Sequence, residues 1–85
     1  MKLLFTKPFV RDYRDLPQGI QKLADKQIGL LLTNPQHPSL AINKMQDPRE
    51  IWEGRINKSY RFTFQIKGDT YVLRKLATHD LLGNP

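Results

Sequence analysis

Between residues 16 and 31 the apolar positions Leu16, Ile20, Leu23, Ala24, Ile28 and Leu31 recur every three or four residues. That is the spacing of one face of an α-helix. Leu16-Pro17 opens the pattern and Asn34-Pro35 ends it, because the residue before a proline is driven out of the helical region. Gly29 weakens the helix slightly. Upstream, Thr6 is a candidate N-cap, with Pro8 in the first turn of a shorter helix carrying Phe9, Val10 and Tyr13. Lys2 to Phe5 reads as a short strand. The two helices form a hairpin with one apolar face.

From residue 40 the period changes to two. Leu40–Met45 is a candidate strand and Asp47-Pro48-Arg49 a turn. Ile51–Ile56 is the next strand, Asn57-Lys58-Ser59 a tight connection, and Tyr60–Lys67 a further strand. Gly68-Asp69 is a two-residue hairpin turn, and Thr70–Ala77 the last strand. Thr78–Pro85 is a short tail. Helices followed by a meander of strands predict an α+β chain, a single domain over residues 1–85. Its two N-terminal helices pack on one face of a small twisted antiparallel sheet, leaving the other face free.

Turn lengths and the apolar face together predict the register. Ile56 pairs with Tyr60, Gly54 faces Phe62 and Trp52 faces Phe64. In the second hairpin Lys67 pairs with Thr70, Ile66 with Tyr71 and Phe64 with Leu73. Trp52, Ile56, Tyr60, Phe62, Phe64 and Ile66 then meet the helices, and Tyr71 shares their face. Glu53, Arg55, Arg61, Thr63 and Arg74 collect on the opposite face, with Arg55 across from Arg61 and Arg74 across from Thr63. Like charges facing each other on a sheet are unfavourable. Either the face binds phosphates, for which each guanidinium offers a planar fork, or it is a solvated surface in which Glu53 offsets part of the repulsion.

Composition narrows the classes. The net charge is +6, which favours a polyanionic partner. There is no cysteine, so disulfides and cysteine-based zinc sites are excluded. His37 and His79 lie far apart and match no metal-ligand spacing, so neither a metal nor a cofactor is expected. No apolar run approaches the about 20 residues that span a bilayer. The chain reads as cytoplasmic, without a membrane partner. What remains is the kit for cutting RNA without a metal. A base takes the 2′-hydroxyl proton, cations stabilise the charged phosphorane, and an acid protonates the leaving 5′-oxygen. Glu53, the three arginines, Lys44 and the titrating side chain of His79 are the candidates. His37, between Pro35 and Pro38, reads as structural.

The stretches Asn34-Pro35-Gln36-His37-Pro38-Ser39-Leu40, Trp52-Glu53-Gly54-Arg55-Ile56, Tyr60-Arg61-Phe62-Thr63-Phe64 and Leu73-Arg74-Lys75-Leu76-Ala77-Thr78-His79-Asp80 occur in an order and spacing that resembles the RelE/ParE superfamily of toxins. The resemblance spans essentially the whole chain. It implies two helices on an antiparallel sheet, and a toxin that cleaves mRNA in the ribosomal A site. It also implies a cognate antitoxin, whose extended, often acidic segment wraps the toxin in a hetero-oligomeric complex. Carried over position by position, Arg61 stabilises the scissile phosphate and Lys44 helps hold RNA, while the sheet-face charge argument above adds Arg55 and Arg74 as RNA-binding residues. Arg55 falls where RelE has a catalytic lysine. Glu53 falls where RelE has another lysine, so the charge is reversed. His79 falls where several relatives have a histidine, and serves as general acid or base. Arg61 points away from the predicted core, so its replacement should spare folding. Three other readings stay open: a ParE-like gyrase inhibitor without nuclease activity, a non-enzymatic RNA- or protein-binding module, and a degenerate toxin that folds and binds its antitoxin but is inactive.

Overall fold

A computed structural model of the chain describes residues 1–78. Strand β1 (Lys2–Phe5) leads into helix α1 (Lys7–Arg14) and helix α2 (Gln18–Thr33). A 3-10 turn (Pro38–Leu40) follows, then β2 (Asn43–Lys44), β3 (Trp52–Arg55), β4 (Tyr60–Lys67) and β5 (Thr70–Thr78). The five strands form one sheet in the order β1-β5-β4-β3-β2. The β2–β5 meander is antiparallel as expected. β1 instead runs parallel to β5, with Leu3 opposite Tyr71 and Phe5 opposite Leu73, so the sheet is mixed. No local turn dictates that pairing. β1 reaches its partner only because α1 continues from it and packs along β5.

Thr6 starts α1 in the predicted way. Its hydroxyl oxygen accepts the Phe9 amide at 3.3 Å, satisfying one of the free donors of the first turn. The same hydroxyl donates between the carbonyls of Leu73, 2.8 Å, and Arg74, 3.2 Å. One side chain thus caps a helix and binds it to the sheet. α2 ends at Asn34, whose amide donates to Leu30 O at 2.7 Å.

The core joins the inner faces of the helices to the sheet: Phe9, Ala24, Ile28 and Leu31 against Phe62, Phe64, Leu73 and Leu76. Phe64 meets Tyr71 edge-on at 5.5 Å. Gly54 is there because Phe62 lies over it; a Cβ at this position would fall 2.7 Å from ring atom Cε1. The inner-face set is mostly as expected, with Ile56, Phe62 and Phe64 buried. Ile66 departs from it at 47 % exposed. It sits beside the Gly68-Asp69 turn, beyond the reach of the helices.

The expected strand over Leu40–Met45 shrinks to Asn43–Lys44. His37 Nδ1 accepts the Ser39 amide at 3.1 Å and pairs with Ser39 Oγ at 2.8 Å, winding Pro38–Leu40 into a turn that drives Leu40 into the core. Ala41 then takes a left-handed conformation at φ 44°, which no strand residue adopts.

Candidate functional site

The outer face of the sheet is built by the β3–β4–β5 hairpins. Arg55 pairs with Arg61, Glu53 with Thr63 and Asn43 with Glu53, so Glu53, Arg55 and Arg61 share this face as the alternation requires. Arg74 does not pair with Thr63. β5 carries a bulge there: Phe64 pairs with Leu73, but Thr63 pairs with Lys75, leaving Arg74 as the extra residue. The bulge resets the alternation so that both Leu73 and Leu76 are buried. α1 holds it from the inner side. Thr6 Oγ1 takes the Leu73 and Arg74 carbonyls, and the Asp12 carboxylate accepts the Leu76 amide at 3.0 Å.

Arg61 is not an open guanidinium. Its side chain is 11 % exposed and that of Glu53 13 %, and the two form an ion pair at 3.8 Å through Nε. Nη1 donates to the backbone carbonyls of Asn57, Lys58 and Tyr60 in the β3–β4 turn. Nη2 has no hydrogen-bond partner among the described residues. The turn itself is shaped by Asn57, whose side-chain oxygen accepts the amides of Ser59 and Tyr60 at 2.9 and 2.8 Å. Arg61 leaves from the outer face as expected, and its pairing there adds a stability cost to the expectation that folding survives its replacement. Its charge faces away from the helices but is enclosed, and it is the counterion of Glu53.

The loop between β2 and β3 returns across this face. Gln65, on the outer face of β4, donates to Arg49 O at 2.8 Å, and Ile51 and Thr63 are buried although their parity points outward. The loop brings in a carboxylate that sequence reading had placed only in a turn. Asp47 is bound in a fork by Arg49, at 2.9 and 2.7 Å. That side-chain hydrogen bonding, aided by the Arg49 amide, pulls the Asp47 carboxyl down to about 2, with the charges of Arg49 and Arg74 acting in the same direction. A turn-forming Asp-Pro-Arg stretch was the only local signal for it.

Arg55 is exposed and Arg74 half-buried, and neither forms an ion pair among the described residues. Lys44 lies elsewhere. It pairs with Trp52, extends over that ring at 5.9 Å and bonds Glu50 at 3.4 Å. Its parity puts it on the helix-side face at the β2 edge, apart from Glu53, Arg55, Arg61 and Arg74. His79 lies outside the described residues. Among the described residues no three His, Cys, Asp or Glu side chains gather as a metal site would need, and no helix is long and apolar enough to cross a membrane.

The arrangement offers what a phosphodiester needs: two accessible guanidinium groups, Arg55 and Arg74, flanking an enclosed Glu53–Arg61 pair on a firm sheet. Gln27, 5 % exposed on α2, steadies it from behind by donating to Arg55 O at 3.0 Å and to Ser39. Sequence reading did not single out Gln27. Its polar side chain within the apolar helical stripe was the available clue.

No protein-family model matches the chain. The sequence is similar to the toxin RelE3 of Methanocaldococcus jannaschii, with 29 % identity over 82 residues, covering 89 % of this chain and 88 % of that protein. The fold is similar to that of YafQ from E. coli strain BL21(DE3), at TM-score 0.79 and 10 % identity, covering 95 % and 96 % of the two chains. It is also similar to a chain of the RelB–RelE antitoxin–toxin complex from Methanococcus jannaschii, at TM-score 0.75 and 23 % identity, covering 95 % of each. The chain is thus similar in sequence to a RelE toxin over most of its length, and it shares the RelE-like fold of two helices on a five-stranded mixed sheet.

Proposed function

We propose that the chain is a metal-independent endoribonuclease that cleaves mRNA in the ribosomal A site and is held inactive by a cognate, acidic antitoxin. The observation that carries this reading is the pairing of Arg55 with Arg61 across β3 and β4, with Glu53 on the same face. Glu53 serves as the counterion of Arg61, and Arg55 across from it stays exposed with no ion pair among the described residues, a planar fork left for a phosphate.

In this reading Arg55 and Arg74 grip the phosphates flanking the scissile bond. The free Nη2 of Arg61 faces the scissile phosphate and stabilises the charge that builds on it. The 2′-oxygen attacks the adjacent phosphorus, the bond to the 5′-oxygen breaks, and a 2′,3′-cyclic phosphate and a 5′-hydroxyl result. Glu53 and His79 are the groups proposed to move the two protons. Glu53, which stands on the reactive face beside Arg61 at 3.8 Å, is assigned the base. His79 is then the acid. Lys44, at the β2 edge, contacts RNA outside the cleavage centre.

The test is primer extension on an mRNA held in programmed ribosomes, with purified protein and EDTA present, beside Arg55→Ala and Arg61→Lys variants. Cleavage within the A-site codon, reduced in both variants, supports the reading. Protein that arrests growth but cuts no mRNA overturns it and favours the gyrase-inhibitor alternative, for which DNA supercoiling is the assay. Salt-sensitive RNA binding without cleavage or growth arrest would instead indicate a binding module.

A further inference from the structure

Alternation along β4 puts Arg61, Thr63, Gln65 and Lys67 on the outer face of the sheet. Arg61 pairs with Arg55 at one end. Lys67 stands exposed at the other, beside the Gly68-Asp69 turn. The span from Arg61 to Lys67 is about 20 Å at the rise of a strand. Its middle is not bare sheet. The β2–β3 loop lies over Thr63 and Gln65, so that Thr63 is buried and Gln65 reaches the Arg49 carbonyl at 2.8 Å. From β5, the bulge sets Arg74 at the level of Thr63 and Phe64.

The charges of that loop are sorted between inside and outside. The Asp47 side chain is 8 % exposed and that of Arg49 51 %, so the carboxylate is enclosed and the guanidinium displayed. Asp47 fixes one edge of the guanidinium through Nε and Nη2, and Nη1 has no hydrogen-bond partner among the described residues. Arg74 acts on the same carboxylate by its charge. The other carboxylates of β3, the loop before it and the β4–β5 turn are engaged: Glu53 with Arg61 at 3.8 Å, Glu50 with Lys44 at 3.4 Å and Asp69 with Lys2 at 3.7 Å. Lys67 forms no ion pair among the described residues. The surface displayed from Arg55 to Lys67 is therefore positive.

From this ordered line of cations we infer that the outer face of β4 is a lane for the backbone of single-stranded RNA, running from the Arg55–Arg61 pair past Arg74 and Arg49 to Lys67. Arg49 is the central contact, a guanidinium held by Asp47 with its free Nη1 turned to a phosphate. The outer parity of β3, β4 and β5 carries no aromatic ring among the described residues. The lane therefore holds phosphates rather than stacking bases, and tolerates any sequence. This inference rests on the chain acting on RNA, as proposed above. It goes beyond the cleavage centre by giving the strand a direction across the sheet, and by assigning Arg49 and Lys67 to nucleotides beyond the scissile step.

The experiment titrates the full chain with a fluorescent 2′-O-methyl oligouridylate, which lacks the attacking hydroxyl, over a range of salt concentrations, and in parallel with poly-glutamate. Wild type, Arg49→Gln and Lys67→Gln are compared with Lys22→Gln, which removes an equal charge from the exposed side of α2. Each phosphate contact to a single strand adds about 0.7 to the slope of log affinity against log salt. Arg49→Gln and Lys67→Gln are each expected to lower the slope by about that amount and the affinity at moderate salt by roughly threefold, while Lys22→Gln changes neither. Lys67→Gln leaves the Asp47–Arg49 fork intact, so it reads the lane even where Arg49→Gln loosens the loop. In NMR spectra the RNA shifts the amides of Gln65 and Lys67 together with that of Arg55. Failure of the wild type to bind, equal slopes throughout, or shifts that stop at Arg61 would each overturn the inference. Weakened binding of poly-glutamate with no change for RNA would also overturn it and make the lane a surface for an acidic protein. The oligonucleotide cannot be cut, so a lane found without cleavage in the primer-extension assay would sink the nuclease reading and leave the lane standing.

Discussion

The carboxylate of Asp12 accepts the backbone amide of Leu76 at 3.0 Å, joining α1 to β5 across 64 positions of sequence. Leu76 is 2 % exposed and follows the bulge at Arg74, so loss of the carboxylate takes away the acceptor of a largely enclosed amide. Asp12→Ala is expected to cost about 1–3 kcal/mol, the penalty for a buried donor left unpaired. Asp12→Asn, which keeps an oxygen in place, should cost less. Urea unfolding of the two variants measures the difference, and equal midpoints for Asp12→Ala and the wild type would show that the contact holds nothing.

Glu53 and Arg61 are expected to be coupled in stability. Arg61→Ala leaves an enclosed carboxylate without its counterion and should destabilise by about 1–3 kcal/mol. Adding Glu53→Gln should recover part of that loss. A double-mutant cycle by denaturant titration gives the interaction energy directly. Under the nuclease reading, Arg61→Ala also lowers cleavage by about a hundredfold or more, since it removes a group that stabilises transition-state charge. Its residual activity should be measured at a temperature where the variant is fully folded.

Gly54→Ala is expected to unfold the chain or to reduce its stability by more than about 2 kcal/mol. The new methyl meets the Phe62 ring, whose Cε1 and Cε2 stand at 2.7 and 2.9 Å, and a ring that is 0 % exposed has nowhere to move. Phe62→Leu in the same background should relieve part of the clash. Thermal unfolding of the single and double variants decides it.

The Asp47–Arg49 fork gives stability a dependence on acid. The folded carboxyl titrates at about 2, below its ordinary 3.8. A depressed carboxyl contributes stability above its unfolded value and loses it as pH falls through the folded value. The stability advantage of wild type over Asp47→Asn should therefore be constant from neutral pH down to about 4 and shrink between about 4 and about 2. A difference that stays flat through that interval would mean the fork does not persist in solution. Arg49→Ala should abolish the same dependence.

Much of the architecture is legible in local pattern. The register of β3, β4 and β5 up to Leu73 follows from two short turns and an apolar face, because a slip of one residue would turn every buried ring outward. The helix N-cap at Thr6 and the break at Asn34-Pro35 depend on neighbours a few residues away. The co-location of Glu53, Arg55 and Arg61 follows from the same alternation. The resemblance to the RelE/ParE superfamily came instead from the order and spacing of four sequence stretches, from Asn34–Leu40 to Leu73–Asp80.

The remaining features depend on residues far apart in the chain. The bulge at Arg74 exists because Thr6 and Asp12 take the carbonyls and amide that the ladder gives up there. The parallel pairing of β1 exists because α1 must lie along β5. The enclosure of Arg61 depends on the carbonyls of the Asn57–Tyr60 turn and on Glu53 across the sheet. Periodicity tells which face a side chain leaves from. How far that side chain stays in water, and which charge it meets, is set by the non-local segments that close over it.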